Sequence, residues 1–138
     1  MAAVPVLMHT AIDATDCRGL AEFYREFLGL RYRPGDEIPS DGEDVGADWL
    51  VLLDAEDNRV FAFNQVSALA RPTWPTDEAV PKQMHHDFRV ASLEELQLHR
   101  RRAERLGATL LYDRTDDAGE PLYVLADPAG HPFCILVQ

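Results

Sequence analysis

Residues 9–32, HTAIDATDCRGLAEFYREFLGLRY, hold a short strand, a turn and a helix in one continuous run. Ile12 and Ala14 alternate with Ala11 and Asp13, the period of a half-buried strand. Leu20, Phe23, Tyr24 and Phe27 then recur at helical spacing, with Asp16 placed to cap the first turn and Gly29 just past the last. The spacing predicts a helix over 16–28.

The same signals return later in the same order. A shift of 76 residues puts His9 on His85, Ile12 on Phe88, Ala14 on Val90, Asp16 on Ser92 and Leu20 on Leu96. The second predicted helix, over 93–106, carries Leu93, Leu96, Ala103 and Leu106 on one stripe; Ser92 and Glu95 form a capping-box pattern and Gly107 is the stop. Arg100 to Arg102 read as a solvated face rather than a nucleic-acid patch. Strands are predicted over 6–14, 30–33, 48–54, 60–66, 83–90, 109–113, 122–126 and 133–138. Each half is therefore a βαβββ module, 6–66 and 83–138, and internal duplication is the simplest account. Between them, residues 67–82 (SALARPTWPTDEAVPK) contain three prolines, which marks a linker or lid rather than a regular element.

Composition narrows the class. A chain of 138 residues, 46% hydrophobic and 27% charged, can bury one core and has the usual size of a single domain. Its formal charge of −11 argues against nucleic-acid binding, which rests on clustered Lys and Arg. The longest apolar run, Trp49 to Leu53, is far below the roughly 20 residues of a membrane-spanning helix. No secretory signal is visible, so the cytoplasm is the expected location. Cys17 and Cys134 cannot form a disulfide framework and are expected to be reduced thiols. Acidic residues crowd the stretch from Asp36 to Asp57, with no Lys or Arg before Arg59. This is either a solvated rim or a negative field that draws a cationic ligand.

The opening segment, with His9, Asp16, Phe23, Tyr24, Leu28 and Gly29, resembles the first strand and helix of the vicinal oxygen chelate superfamily, which includes glyoxalases, dioxygenases and bleomycin-resistance proteins. MHHDFRV, LGATLL and ADPAGHPFCILV in the second half are similar to its glyoxalase-like branch. The resemblance covers residues 6–138. It implies an α+β fold in which two βαβββ modules form an eight-stranded curled sheet around a central cleft, with the helices outside, and it implies a homodimer.

In such a family His9 and His85 are metal-ligand positions, and each module usually adds a glutamate from its last strand. Here the matching positions are Cys134 and, counted through a 73-residue offset of DAEDNRVFAF onto DPAGHPFCIL, Phe61. Phenylalanine cannot ligate and cysteine is softer than a carboxylate. Two histidines alone fall short of the three protein ligands usual in catalytic zinc sites. Asp87 is the best third donor, because residues two apart on a strand share a face; Asp13, Cys134 and His131 are weaker candidates. The metal would be a divalent Zn, Fe, Mn, Ni or Co.

If Ile12, Ala14, Phe88 and Val90 pack beneath the helices, then His9, Ala11 and Asp13, and His85, Asp87 and Arg89, face the other way, and His86 faces the helix layer. Trp49, Phe61, Phe63, Trp74 and Tyr123 are candidate pocket aromatics alongside Asp13, Arg89 and Cys134, since ligand pockets are mostly apolar with a few polar groups. Asp87 and Arg89 are expected either to pair and fix the strands or to act in catalysis, with Asp87 or Asp13 as general base and Arg89 steadying an oxyanion. The leading functional expectation is a pocket that binds an apolar or aromatic small molecule, as in bleomycin resistance. The alternative is a divergent isomerase, lyase, epimerase or dioxygenase using His9, His85 and Asp87 as catalytic groups, with or without metal. A true glyoxalase I should keep both glutamates.

Overall fold

The computed structural model describes residues 3–44 and 46–138. Its contacts divide the chain into two compact units, Met1–Ala68 and Leu69–Gln138. The proline-rich stretch thus falls almost wholly in the second unit. It is held there by Arg71, which donates to the Pro128 carbonyl at 3.2 Å. It is held also within itself, where the Thr73 amide donates to the Val80 carbonyl and the Val80 amide to Thr73 Oγ1.

The first unit contains β1 (Thr10–Ala14), α1 (Cys17–Leu28), β2 (Arg31–Tyr32), β3 (Trp49–Leu53) and β4 (Arg59–Gln65). Its sheet runs β1-β4-β3-β2, with β1 parallel to β4 and the other pairs antiparallel. The second unit repeats the pattern with β5 (His86–Val90), α2 (Leu93–Arg105), β6 (Thr109–Asp113), β7 (Leu122–Ala126) and β8 (Pro132–Val137), in the order β5-β8-β7-β6. The fold is α+β, one helix and one mixed four-stranded sheet per module.

Helix α1 begins where Asp16 accepts a hydrogen bond from the Gly19 amide at 3.0 Å and ends at Gly29, whose φ of 67° is left-handed. A Cβ at Gly19 would press on the Asp16 carboxylate, so the glycine lets the cap close tightly over the first turn. Cys17, Leu20, Ala21, Phe23, Tyr24 and Phe27 form its buried face. Ser92 caps α2 by accepting from the Glu95 amide, while the Glu95 carboxylate accepts from Ala91 rather than from Ser92 itself. Of the expected α2 stripe, Leu96 and Ala103 are buried but Leu93 is 46% exposed. Leu93 is the first residue after the cap, and the helix makes its closest packing one turn further on.

Strands β1 and β5 begin at Thr10 and His86, later than expected, so His9 and His85 stand at the thresholds of their strands. The neighbouring strands explain this: β4 carries a register shift opposite Leu52 and Leu53, and β8 opens on Pro132, which has no N–H to offer. The acidic stretch is partly structural. Arg18 donates to Asp44 and to the Asp36 carbonyl, and the Asp36 carboxylate accepts from the Val51 amide.

Candidate functional site

The alternation of β5 separates two environments. Asp87 and Arg89 are exposed, whereas His86, Phe88 and Val90 are half-buried. The His86 ring stacks on Phe88, and Phe88 meets Phe133 of β8 edge-on. On the other side of the strand, His85 Nε2 lies 3.2 Å from Asp87 Oδ1. Among the described residues Asp87 is therefore partnered at the threshold of its own strand by His85, and the expected pair with Arg89 is not formed.

Register carries this face across the sheet. Asp87 stands beside Cys134, and Cys134 beside Val124 on β7. Cys134, Val124, Leu122 and Leu136 form one buried apolar cluster, with Trp74 packed against it. Trp74 also stacks on His85, their rings 5.2 Å apart and inclined by 29°, and Lys82 Nζ lies 4.2 Å from the Trp74 ring on the same segment. Trp74, His85, Asp87 and the apolar cluster line a cavity of about 380 Å³ together with Tyr112, Arg114 and Glu120. The volume lies within the usual range for small-molecule sites.

Cys134 is not a poised nucleophile. Burial, the negative charge of Asp87 and a hydrogen bond to its carboxylate push the thiol up to about 12. One imidazole, one carboxylate and one thiol nevertheless offer donor atoms that all lie within 4.8 Å of one another at His85, Asp87 and Cys134. Donors bound to zinc at ~2.0–2.3 Å lie roughly 3.3–3.8 Å apart. A small inward movement would close the set on a metal, and nitrogen with sulfur favours zinc over magnesium or calcium. The donor set fits a divalent ion.

Among the described residues the first unit shows no such set. With Ala11 equivalent to Asp87 on the 76-residue shift, strand pairing puts Ala62 where Cys134 stands, since Ala11 pairs with Ala62 and Asp87 with Cys134. This corrects the expectation that Phe61 occupies the ligand position. The register shift between Leu52 and Leu53 inserts one extra residue, Val60, into β4, so the offset changes from 73 to 72 within the strand. Phe61 and Phe63 instead pack under α1, with ring centroids 5.1 and 5.9 Å from Tyr24. Ala62, Val51 and Leu53 form an apolar cluster on the face away from these rings. Ala11 and Ala62 thus stand where the second unit has the Asp87 carboxylate and the Cys134 thiol.

His9 lies against Trp49 with centroids 5.8 Å apart, and its buried Nδ1 meets no partner among the described residues. Burial, then the charges of Arg59 and Arg33, lower its pKa. Asp13 accepts from Asn64 Nδ2 at 3.1 Å. His131 sits in the turn before β8, its amide held by the Asp127 carboxylate.

Tyr123 also proves to face the helix. Its ring is buried and Arg100 of α2 lies over it at 5.1 Å. Once Cys134 lines the cavity, its neighbour Val124 does too, and alternation turns Tyr123 away. Leu122, Val124 and Leu136 could have been found from Cys134 by that rule. Arg114 and Glu120 flank the turn between β6 and β7 and carry no motif that would have marked them.

A family model described as a glyoxalase-like domain matches residues 9–136. The fold is similar to that of a glyoxalase/bleomycin resistance protein/dioxygenase family enzyme from Burkholderia phytofirmans PsJN, at TM-score 0.64 and 19% identity, covering 94% of this chain and 96% of that one. A fosfomycin resistance protein from Mesorhizobium loti aligns at TM-score 0.66 and 15% identity over 99% and 94%. A possible glyoxalase from Bacillus cereus aligns at 0.64 and 14% over 96% and 99%. No relative among curated proteins matches the chain.

Proposed function

Because the chain belongs to the glyoxalase-like family of the vicinal oxygen chelate superfamily, we propose that it binds a flat, largely apolar small molecule in the cavity of its second module. The observation that carries this reading is Trp74, stacked beside His85 and seated over Leu122, Val124, Cys134 and Leu136. Indole and imidazole faces above an aliphatic floor suit a ring, and His85 and Asp87 provide the few polar contacts that orient it. A fosfomycin resistance protein among the similar structures is consistent with a role in handling small molecules. The test is calorimetric titration with a neutral aromatic probe, 2-naphthamide. Wild type and Trp49→Ala should bind it comparably, and Trp74→Ala should bind at least tenfold more weakly. Equal affinity in all three would overturn the reading. A homodimer is expected in solution, and light scattering measures it.

A second reading is favoured by the His85, Asp87 and Cys134 donors: a divalent metal, zinc by ligand softness, held by these three residues. When bound, such an ion would polarise an oxygen of the ligand, the chemistry expected of a divergent lyase or isomerase. His85 and Asp87 would then be ligands rather than proton carriers. Metal analysis of protein purified without chelator decides between the two. Stoichiometric metal lost in His85→Ala and Cys134→Ser supports this second reading, and its absence after zinc addition refutes it.

A further inference from the structure

The donors and acceptors around the cavity are unequally satisfied. Asp87 is engaged by His85 and by the Cys134 thiol. Glu120 Oε1 accepts from Arg114 Nη2 at 2.8 Å, and its backbone carbonyl accepts from the same nitrogen at 3.3 Å. Arg114 Nε, by contrast, is buried and makes no hydrogen bond, although it forms an ion pair with the Asp117 carboxylate at 3.8 Å. Arg114 lines the cavity. Among the described residues that line the cavity, the buried polar atom left without a hydrogen bond is thus a donor on a cationic side chain.

Resting on the proposal that the cavity binds an aromatic ligand, we infer that Arg114 is its specificity residue and that the ligand carries an anionic oxygen group, a carboxylate or a close analogue. The ring would lie beside Trp74, and the anion would meet the guanidinium. A guanidinium is always charged and directs its N–H groups in a fixed plane, so it selects a planar oxygen anion over a neutral amide of the same shape. Glu120 then acts as an internal competitor. It holds one edge of Arg114 and limits how strongly the ligand is drawn.

The experiment compares 2-naphthoate with 2-naphthamide by calorimetry on the full chain. Wild type should bind the acid at least tenfold more tightly than the amide, and Arg114→Gln should abolish that preference while still binding the amide. Glu120→Gln should increase the preference for the acid severalfold, a gain that misfolding cannot produce. Equal binding of acid and amide by wild type would overturn the role of Arg114 while leaving the aromatic pocket intact. An acid preference that survives Arg114→Gln would do the same. Binding of neither probe by wild type would overturn the pocket itself and this inference with it.

Discussion

His85 Nε2 and Asp87 Oδ1 lie 3.2 Å apart, two residues apart in sequence, where β5 begins. The contact joins an imidazole that stacks on Trp74 to a carboxylate that also holds the Cys134 thiol. Removing the carboxylate should therefore be felt at the sulfur. At pH 8 a thiol near 12 is ionised in roughly one molecule in ten thousand. Iodoacetamide should modify Cys134 far more slowly than a free thiol, and Asp87→Asn should speed the reaction severalfold as one cause of the elevation disappears. Peptide mapping by mass spectrometry separates Cys134 from Cys17, whose buried thiol donates to the Ala47 carbonyl. An unchanged rate in Asp87→Asn would break the proposed coupling.

The correction at Phe61 has its own mutational signature. Phe61 is 4% exposed against Tyr24, so Phe61→Glu buries a carboxylate between aromatic rings and should cost about 3–5 kcal/mol, with no gain in metal affinity. Phe61→Leu should cost about 1 kcal/mol. Urea unfolding measures both. A well-tolerated glutamate would restore Phe61 to the cavity-facing side of the sheet.

His86 sets an acid limit on stability. Burial lowers its pKa from 6.5 despite the opposing charge of Asp127. The unfolded chain then binds a proton more readily than the folded one, so the stabilising contribution is complete above pH 6.5 and is lost as pH falls below it. His9 is shifted the same way and adds to the effect. Urea denaturation at pH 7.5 and 5 should show a smaller acid loss for His86→Phe than for wild type. Identical losses would remove His86 from the account.

Much of this architecture is written in short-range patterns. Asp16, Gly29, Ser92 and Gly107 announce both helices because capping chemistry acts within one turn, and the strands from Thr109 and Leu122 begin and end where the sequence places them. The candidate site was only half legible. Asp87 follows His85 by the two-residue period, but one extra residue in β4 exchanged the faces of Phe61 and Ala62, and a register shift leaves no mark in composition or spacing. Arg114 and Glu120 meet across a turn whose geometry only the folded chain specifies.

The aromatic pocket of the second module is tested most directly by mapping where a ligand binds. In a ¹H–¹⁵N titration of the full chain with 2-naphthamide, the Trp74 indole N–H and the amides of His85, Asp87, Val124 and Cys134 should shift together and saturate at one concentration. Shifts confined to other residues, or no saturable shift at Trp74, would contradict the account.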